Sequence, residues 1–274
     1  MADTITVLDA NELILDKVRF LTAHDIGTGE MLFRLTSLED PSLQTGAEGE
    51  ELTDSVGALI TTLYRAKTAT FSATNSLLSL DLAAQQFGTK REKASSTNVI
   101  AVPTYEILTA NGVEGAPVEI ELKHKVSNNV KYVYALVDNN IGTSYTVAAS
   151  KEAIGEKEFF IDSTGDVSKL TLPTGTTGKI YIEYEYETED AATRVINKTS
   201  EFPEACSVKI YVLFRDKCNE NTVYSGVIVA NRAKLNPESV ELALTSTGKH
   251  PFEMKMMREY CDDEAELFSI IVAQ

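Results

Sequence analysis

Tryptophan is absent from this chain of 274 residues, and histidine and cysteine occur three times each. His24, His124 and His250 fall in different predicted elements, with no carboxylate at a spacing that would build an acid–base pair. His124 shares the apolar parity of its strand and reads as a satisfied or snorkelling core residue. Cys206, Cys218 and Cys261 lack the close pairs and the fourth ligand of a zinc site. An odd count in a chain without a secretory leader reads as reduced thiols. Asp262, Asp263 and Glu264 follow Cys261 but lack the spaced oxygen ligands of a calcium loop. No P-loop, dinucleotide fingerprint, nucleophile elbow or metalloprotease helix occurs. Catalysis, cofactors and structural metals are therefore not expected, and no residue is nominated for any of them.

Basic residues are also scarce. Lys and Arg number 25 against 41 Asp and Glu, a formal net charge of −16. Tight nucleic-acid binding leaves a basic footprint, and this sequence has none. An acidic surface keeps a protein soluble, and it can also repel nucleic acid. No apolar run approaches the roughly 20 residues of a membrane span. The first twenty residues contain no basic stretch followed by an apolar one, so neither a signal peptide nor a membrane partner is expected. A hydrophobic content of 43% is ordinary for a globular protein, and the length allows one large β domain or two smaller ones.

What is present is organised around Gly57 to Gly88. Leu59, Leu63, Ala69 and Phe71 share one parity, and Ile60, Thr62, Tyr64, Thr68 and Thr70 the other. β-branched and aromatic residues dominate, which predicts a long central strand whose two faces are each only half apolar. Arg65 and Lys67 interrupt it and are expected to be paired or set in subunit interfaces. The period then changes to that of a helix. Leu77, Leu80, Ala84 and Phe87 form a stripe, Asn75 or Ser76 can cap its start and Gly88 its end, giving a helix over 75–87. A lone amphipathic helix must bury its stripe on a sheet. Leu59, Leu63, Phe71, Leu77, Leu80, Ala84 and Phe87 are the expected packing residues.

Upstream, Leu13–Leu21 and Met31–Leu35 predict a hairpin across the turn at His24–Gly29. Residues 36–56 lose all periodicity. They hold Glu39, Asp40, Glu48, Glu50, Glu51 and Asp54, with Pro41, Gly46 and Gly49, and no Lys or Arg. This predicts a long acidic loop, of the kind that orders on a partner. Thr89–Lys93 is a short basic run after the helix, either complementing its C-terminal dipole or simply a solvated turn, and Pro103 makes the strand 99–108 an edge or a bent strand. From Gly112 to Ser200 short alternating strands and turn signals predict a small antiparallel sandwich, with Glu183, Glu185 and Glu187 as one solvent-facing row. The last third returns to longer strands, at 208–214, 224–230, 239–245, 252–257 and 267–272. The expected fold class is mainly β. A barrel or sandwich with one packed helix is formed by 1–111 and 201–274, and an inserted sandwich by 112–200.

The stretch from the acidic loop through Gly-Ala-Leu-Ile-Thr-Thr-Leu-Tyr-Arg-Ala-Lys-Thr-Ala-Thr-Phe to Gly88 resembles the central strand and helix of tail tube proteins (major tail proteins) of long-tailed bacteriophages. Ser225–Val229, Pro237–Leu242 and Glu266–Val272 also look like segments of such virion proteins. The middle segment departs from the minimal tube pattern. The resemblance implies a β-barrel with one packed helix. It implies six copies closing into a ring and rings stacking into a tube in the virion, after assembly in the host cytoplasm. A tape-measure protein and later DNA would occupy the channel, and a tail sheath and a tail terminator are further implied partners. Under it, Glu39, Asp40, Glu48, Glu50, Glu51 and Asp54 belong to a ring-stacking loop, and no catalysis is implied. Two other classes share the lack of chemistry. One is a capsid decoration or other virion protein. The other is a carbohydrate-binding or adhesin module in 112–200, which would need an exposed aromatic platform; the absence of tryptophan argues against it.

Overall fold

The computed structural model describes residues 12–217, 221–238, 240–245, 248–259 and 266–273. Strand accounts for 58% of the chain and helix for 4%, so the chain is mainly β. The first segment contains β1 (Leu13–Asp25), β2 (Met31–Leu35), β3 (Leu38–Thr53), β4 (Leu59–Asn75) and helix α1 (Leu80–Phe87). The middle segment contains β5 (Glu92–Lys93), β6 (Ile100–Asn111), β7 (Val118–Glu121), β8 (Tyr132–Val137), β9 (Asn140–Val147), β10 (Glu158–Asp162), β11 (Lys169–Leu172), β12 (Thr177–Thr188) and β13 (Thr193–Arg194). The chain ends with β14 (Ala205–Asp216), β15 (Val223–Leu235), β16 (His250–Met256) and β17 (Ser269–Ala273). It divides into two compact units, Met1–Arg91 with Val195–Gln274, and Glu92–Arg194.

In the first unit the strands pair in the order β2-β1-β14-β15-β16-β4-β3, with β17 added to β15. The core of this unit follows the expected alternation: Cys206, Val208, Ile210 and Val212 of β14 are buried beside Leu21, Phe33, Phe71 and Met254. Burial pushes the Cys206 thiol up to about 11, so it stays protonated and unreactive at neutral pH. Cys218, Cys261 and the acidic run 262–264 lie outside the described residues. Residues 240–245, expected as part of a strand, form none.

The helix is the one α-helix among the described residues, and it begins later than its periodicity predicts. Asn75 still belongs to the β4 ladder, where it faces His250 of β16, and that pairing holds the backbone extended through 75. Ser79 caps the helix instead, its Oγ accepting from the Leu82 N–H at 3.2 Å. Leu82, Ala83, Ala84 and Gln86 are buried. Leu77 and Leu80 are exposed and Phe87 half-buried, so of the predicted stripe Ala84 alone packs fully. The end is as expected. Gly88 takes φ 72°, and the N–H groups of Gly88 and Thr89 close onto Gln85 and Ala84 carbonyls. Arg91 reaches back to Asp81 in the first helical turn at 2.8 Å, so it does not serve the C-terminal dipole.

The second unit starts at 92, not at 112. The strand expected at 99–108, β6, pairs along its whole length with β12, from Ile100↔Thr188 to Asn111↔Thr177. It is an edge of the sheet path β6-β12-β8-β9-β10-β11-β7, in keeping with Pro103. The strands hydrogen-bond in this single order rather than as two separate sheets, and the end strands β6 and β7 approach one another. Pairing is antiparallel except between β9 and β10. The core holds Val133, Phe159, Leu170, Ile180, Ile182 and Tyr184. Glu106 is buried but satisfied: it accepts from the Lys123 N–H at 2.8 Å and from the Tyr184 hydroxyl. Burial and that carboxylate raise the Tyr184 pKa well above its usual value. His124 is half-buried and stacks on Tyr186 at 3.9 Å.

Candidate functional site

The segment expected as an acidic loop is a strand. β3 pairs antiparallel with β4 from Leu38↔Asn75 to Thr53↔Leu59, with bulges at Glu39/Ser42, Gly46/Glu48 and Leu52/Thr53. Asp40 and Ala66 take positive φ at or beside two of these irregularities. The sequence hid this because a strand with solvent on both faces has no reason to alternate. The connection is a tight turn. Asp54 Oδ1 accepts from the Val56 and Ala58 N–H groups at 3.0 and 2.8 Å, and Gly57 supplies φ 84°.

β16 covers β4 over Ala69–Asn75 only. Beyond that, residues 59–68 of β4 pair with β3 alone, which at strand rise makes a two-stranded arm roughly 30 Å long. Almost every residue of this arm is exposed. Among them are Leu52, Val56, Leu59, Ile60, Leu63 and Tyr64, with Val56 at 84% and Tyr64 at 73%. Leu59 and Leu63 share one parity and Ile60 and Tyr64 the other, so both faces carry apolar side chains. A two-stranded hairpin is marginally stable alone in water. This one presents two half-apolar faces that nothing among the described residues covers.

The predicted packing residues of the central strand therefore divide. Phe71 lies in the core, at the root of the arm, while Leu59 and Leu63 lie on the arm itself. The predicted acidic residues divide as well. Glu48, Glu50, Glu51 and Asp54 are on the arm. Glu39 and Asp40 sit at its root. There the Lys249 ammonium, then the Ser76 hydroxyl, hold the Glu39 carboxyl below its usual range. Arg65 pairs with Glu50 at 3.0 Å, both largely exposed, a contact of little energetic weight. Leu52, Val56, Ile60 and Tyr64 were not nominated from sequence. The available signal was the turn Asp54–Gly57 between two stretches of similar length.

Helix α1 is bound to the sheet at this root by His250, which is fully buried. Its Nε2 lies 2.7 Å from Gln86 Oε1, and its Nδ1 accepts from the Ser79 N–H at 3.4 Å. Gln86 Nε2 in turn donates to the Pro251 carbonyl at 3.3 Å. This pattern requires the neutral imidazole with its proton on Nε2. A second proton would place two N–H groups face to face at Nδ1. Burial accordingly lowers the His250 pKa below the usual 6.5. In acid the unfolded chain binds that proton first, so stability is retained above about pH 6.5 and falls as pH drops through the folded-state value. The urea midpoint of the wild type is expected to drop more between pH 7.5 and 5 than that of His250→Gln. Equal drops would refute the assignment.

Among the described residues no group of His, Cys, Asp and Glu is arranged to hold a metal, and no helix is long and apolar enough to cross a membrane. Comparison with family models and with curated proteins finds no match to this chain.

Proposed function

We propose that this chain is the subunit of a polymeric tube of the bacteriophage tail type, built from stacked hexameric rings. The observation that carries the reading is the β3–β4 arm, whose exposed apolar residues lie on both faces beyond the cover of β16. Such an arm is suited to lie between two neighbours, one on each face. Contacts of this heterologous kind close a ring when the rotation permits, and repeat along an axis. The acidic excess of sixteen charges per subunit supports the same reading, because a conduit for DNA must not hold phosphates by counterion release. In this role a tape-measure protein and then DNA pass through the channel. The first test is electron microscopy of the purified chain. Six-fold rings or tubes are expected, and a monomer at every concentration would refute the proposal.

A further inference from the structure

The second unit carries an aromatic face that the assembly reading leaves unused. On β6, β12 and β8 the pairs Tyr105↔Glu183 and Tyr181↔Tyr134 lie in register. Strand alternation puts Tyr105, Tyr132, Tyr134, Tyr181 and Glu183 on the face opposite the core residues Ile180, Ile182 and Val133. Tyr105 is 63% exposed and Tyr132 50%. The rings are ordered with respect to one another. Tyr132 and Tyr134 have centroids 6.3 Å apart and planes 29° apart, and Tyr105 and Tyr181 stand at 5.9 Å and 32°. Beside them a cavity of about 500 Å³ opens, bounded by Tyr105 and Tyr132 and lined by Glu183, Glu185, Asn128 and Lys131. That volume is within the range of small-ligand sites.

The polar groups of this cavity are held in place. The Tyr181 hydroxyl donates to the Glu183 carboxylate. Asn128 Oδ1 accepts from the Glu185 N–H at 3.0 Å, which leaves its amide N–H₂ as a donor. The Ser127 N–H donates to the Glu185 carbonyl at 2.8 Å and pins the rim to β12.

We propose that this face binds a neutral, flat, β-1,4-linked polysaccharide. Each feature selects for that chemistry. Within each pair the ring planes lie only about 30° apart, which suits a flat ligand, whereas an ammonium ligand is recognised by a cage of steeply inclined rings. A β-1,4-linked chain is a flat ribbon whose pyranose rings offer C–H faces to aromatic rings and a rim of hydroxyls to the sides. Two carboxylates and an amide N–H₂ then accept and donate at that rim. The two carboxylates outnumber the single ammonium of Lys131, so the lining is net negative and disfavours phosphates and anionic glycans. Tyrosine here supplies the platform that the lack of tryptophan argued against. This inference does not rest on the tube proposal, although a polymer would multiply a weak single contact.

The test is depletion of the full-length protein from solution by insoluble cellulose and by chitin, with granular starch, an α-linked glucan, as the geometric control. Retention on cellulose or chitin, several-fold above starch, is expected. Tyr105→Ala with Tyr132→Ala should cut it at least tenfold, while Tyr105→Phe with Tyr132→Phe, which keeps the rings, should stay within twofold. Circular dichroism checks that each variant is folded. No retention on either polymer, equal retention on starch, or retention indifferent to the Ala pair overturns the proposal. So does release by choline chloride but not by soluble cello-oligosaccharide and chito-oligosaccharide, which would mark a cation site. Self-association abolished by the Ala pair, without glycan retention, would mark a protein interface and overturn it too.

Discussion

Replacing Leu59 and Leu63 together by aspartate is expected to leave the subunit folded and to stop its polymerisation. In the isolated chain both side chains are exposed, at 58% and 44%, and neither belongs to a core. Exposed substitutions of this kind shift stability within about 0.5 kcal/mol each. In an assembled tube the same positions would be covered by a neighbour. Two unpaired carboxylates there cost several kcal/mol, and about 1.4 kcal/mol is a factor of ten in association. The concentration needed for assembly should therefore rise by at least about 100-fold. Sedimentation velocity and electron microscopy measure it, with thermal melting as the check on folding. Two added negative charges could act through overall repulsion, so the control places them at Val137 and Ile141, exposed positions of the second unit. Polymer growth by the arm variant at the wild-type concentration would refute the assembly role of the arm, as would an equal loss in the control.

The second large effect is expected at Gly88. Its φ of 72° costs a non-glycine residue roughly 1–2 kcal/mol. A Cβ built there would also lie 2.3 Å from the backbone carbon and oxygen of Phe202 and 2.6 Å from its nitrogen. Backbone has no flexible end to swing aside, so either the 201–203 segment or the last turn of α1 must move. Gly88→Ala should cost about 3 kcal/mol or more, which for a unit of this size is a melting shift of roughly 6–12 °C. Gly29→Ala isolates the two contributions. Gly29 takes φ 73° but its Cβ would meet nothing within 4 Å, so only the backbone cost should remain. If the two variants melt together, the packing of Phe202 against the helix end does not contribute.

The arm and the glycan face were legible in the sequence to different degrees. Glu48, Glu50, Glu51 and Asp54 were nominated and do lie on the arm, but as residues of a strand. Their apolar companions Leu52, Val56, Ile60 and Tyr64 were not nominated. A half-apolar strand is read as half-buried unless its neighbours are known. The tyrosines at 105, 132, 134 and 181 come from three strands up to 76 positions apart in the chain, and only β-sheet register brings them together.

The amino-acid sequence alone determined the mainly β character, the strands with one buried face such as β14, and the Gly88 stop of the single described helix. Each of these follows from local periodicity or from a backbone conformation that few residues tolerate. The tertiary structure alone decided that 38–53 is the partner of β4, that the helix waits until Leu80, that the second unit begins at 92 and that Leu59 and Leu63 face solvent. These depend on which strand supplies the hydrogen bonds of another. Backbone N–H and C=O groups are the same in every residue, so side-chain pattern records a partner only where one face of the strand is buried.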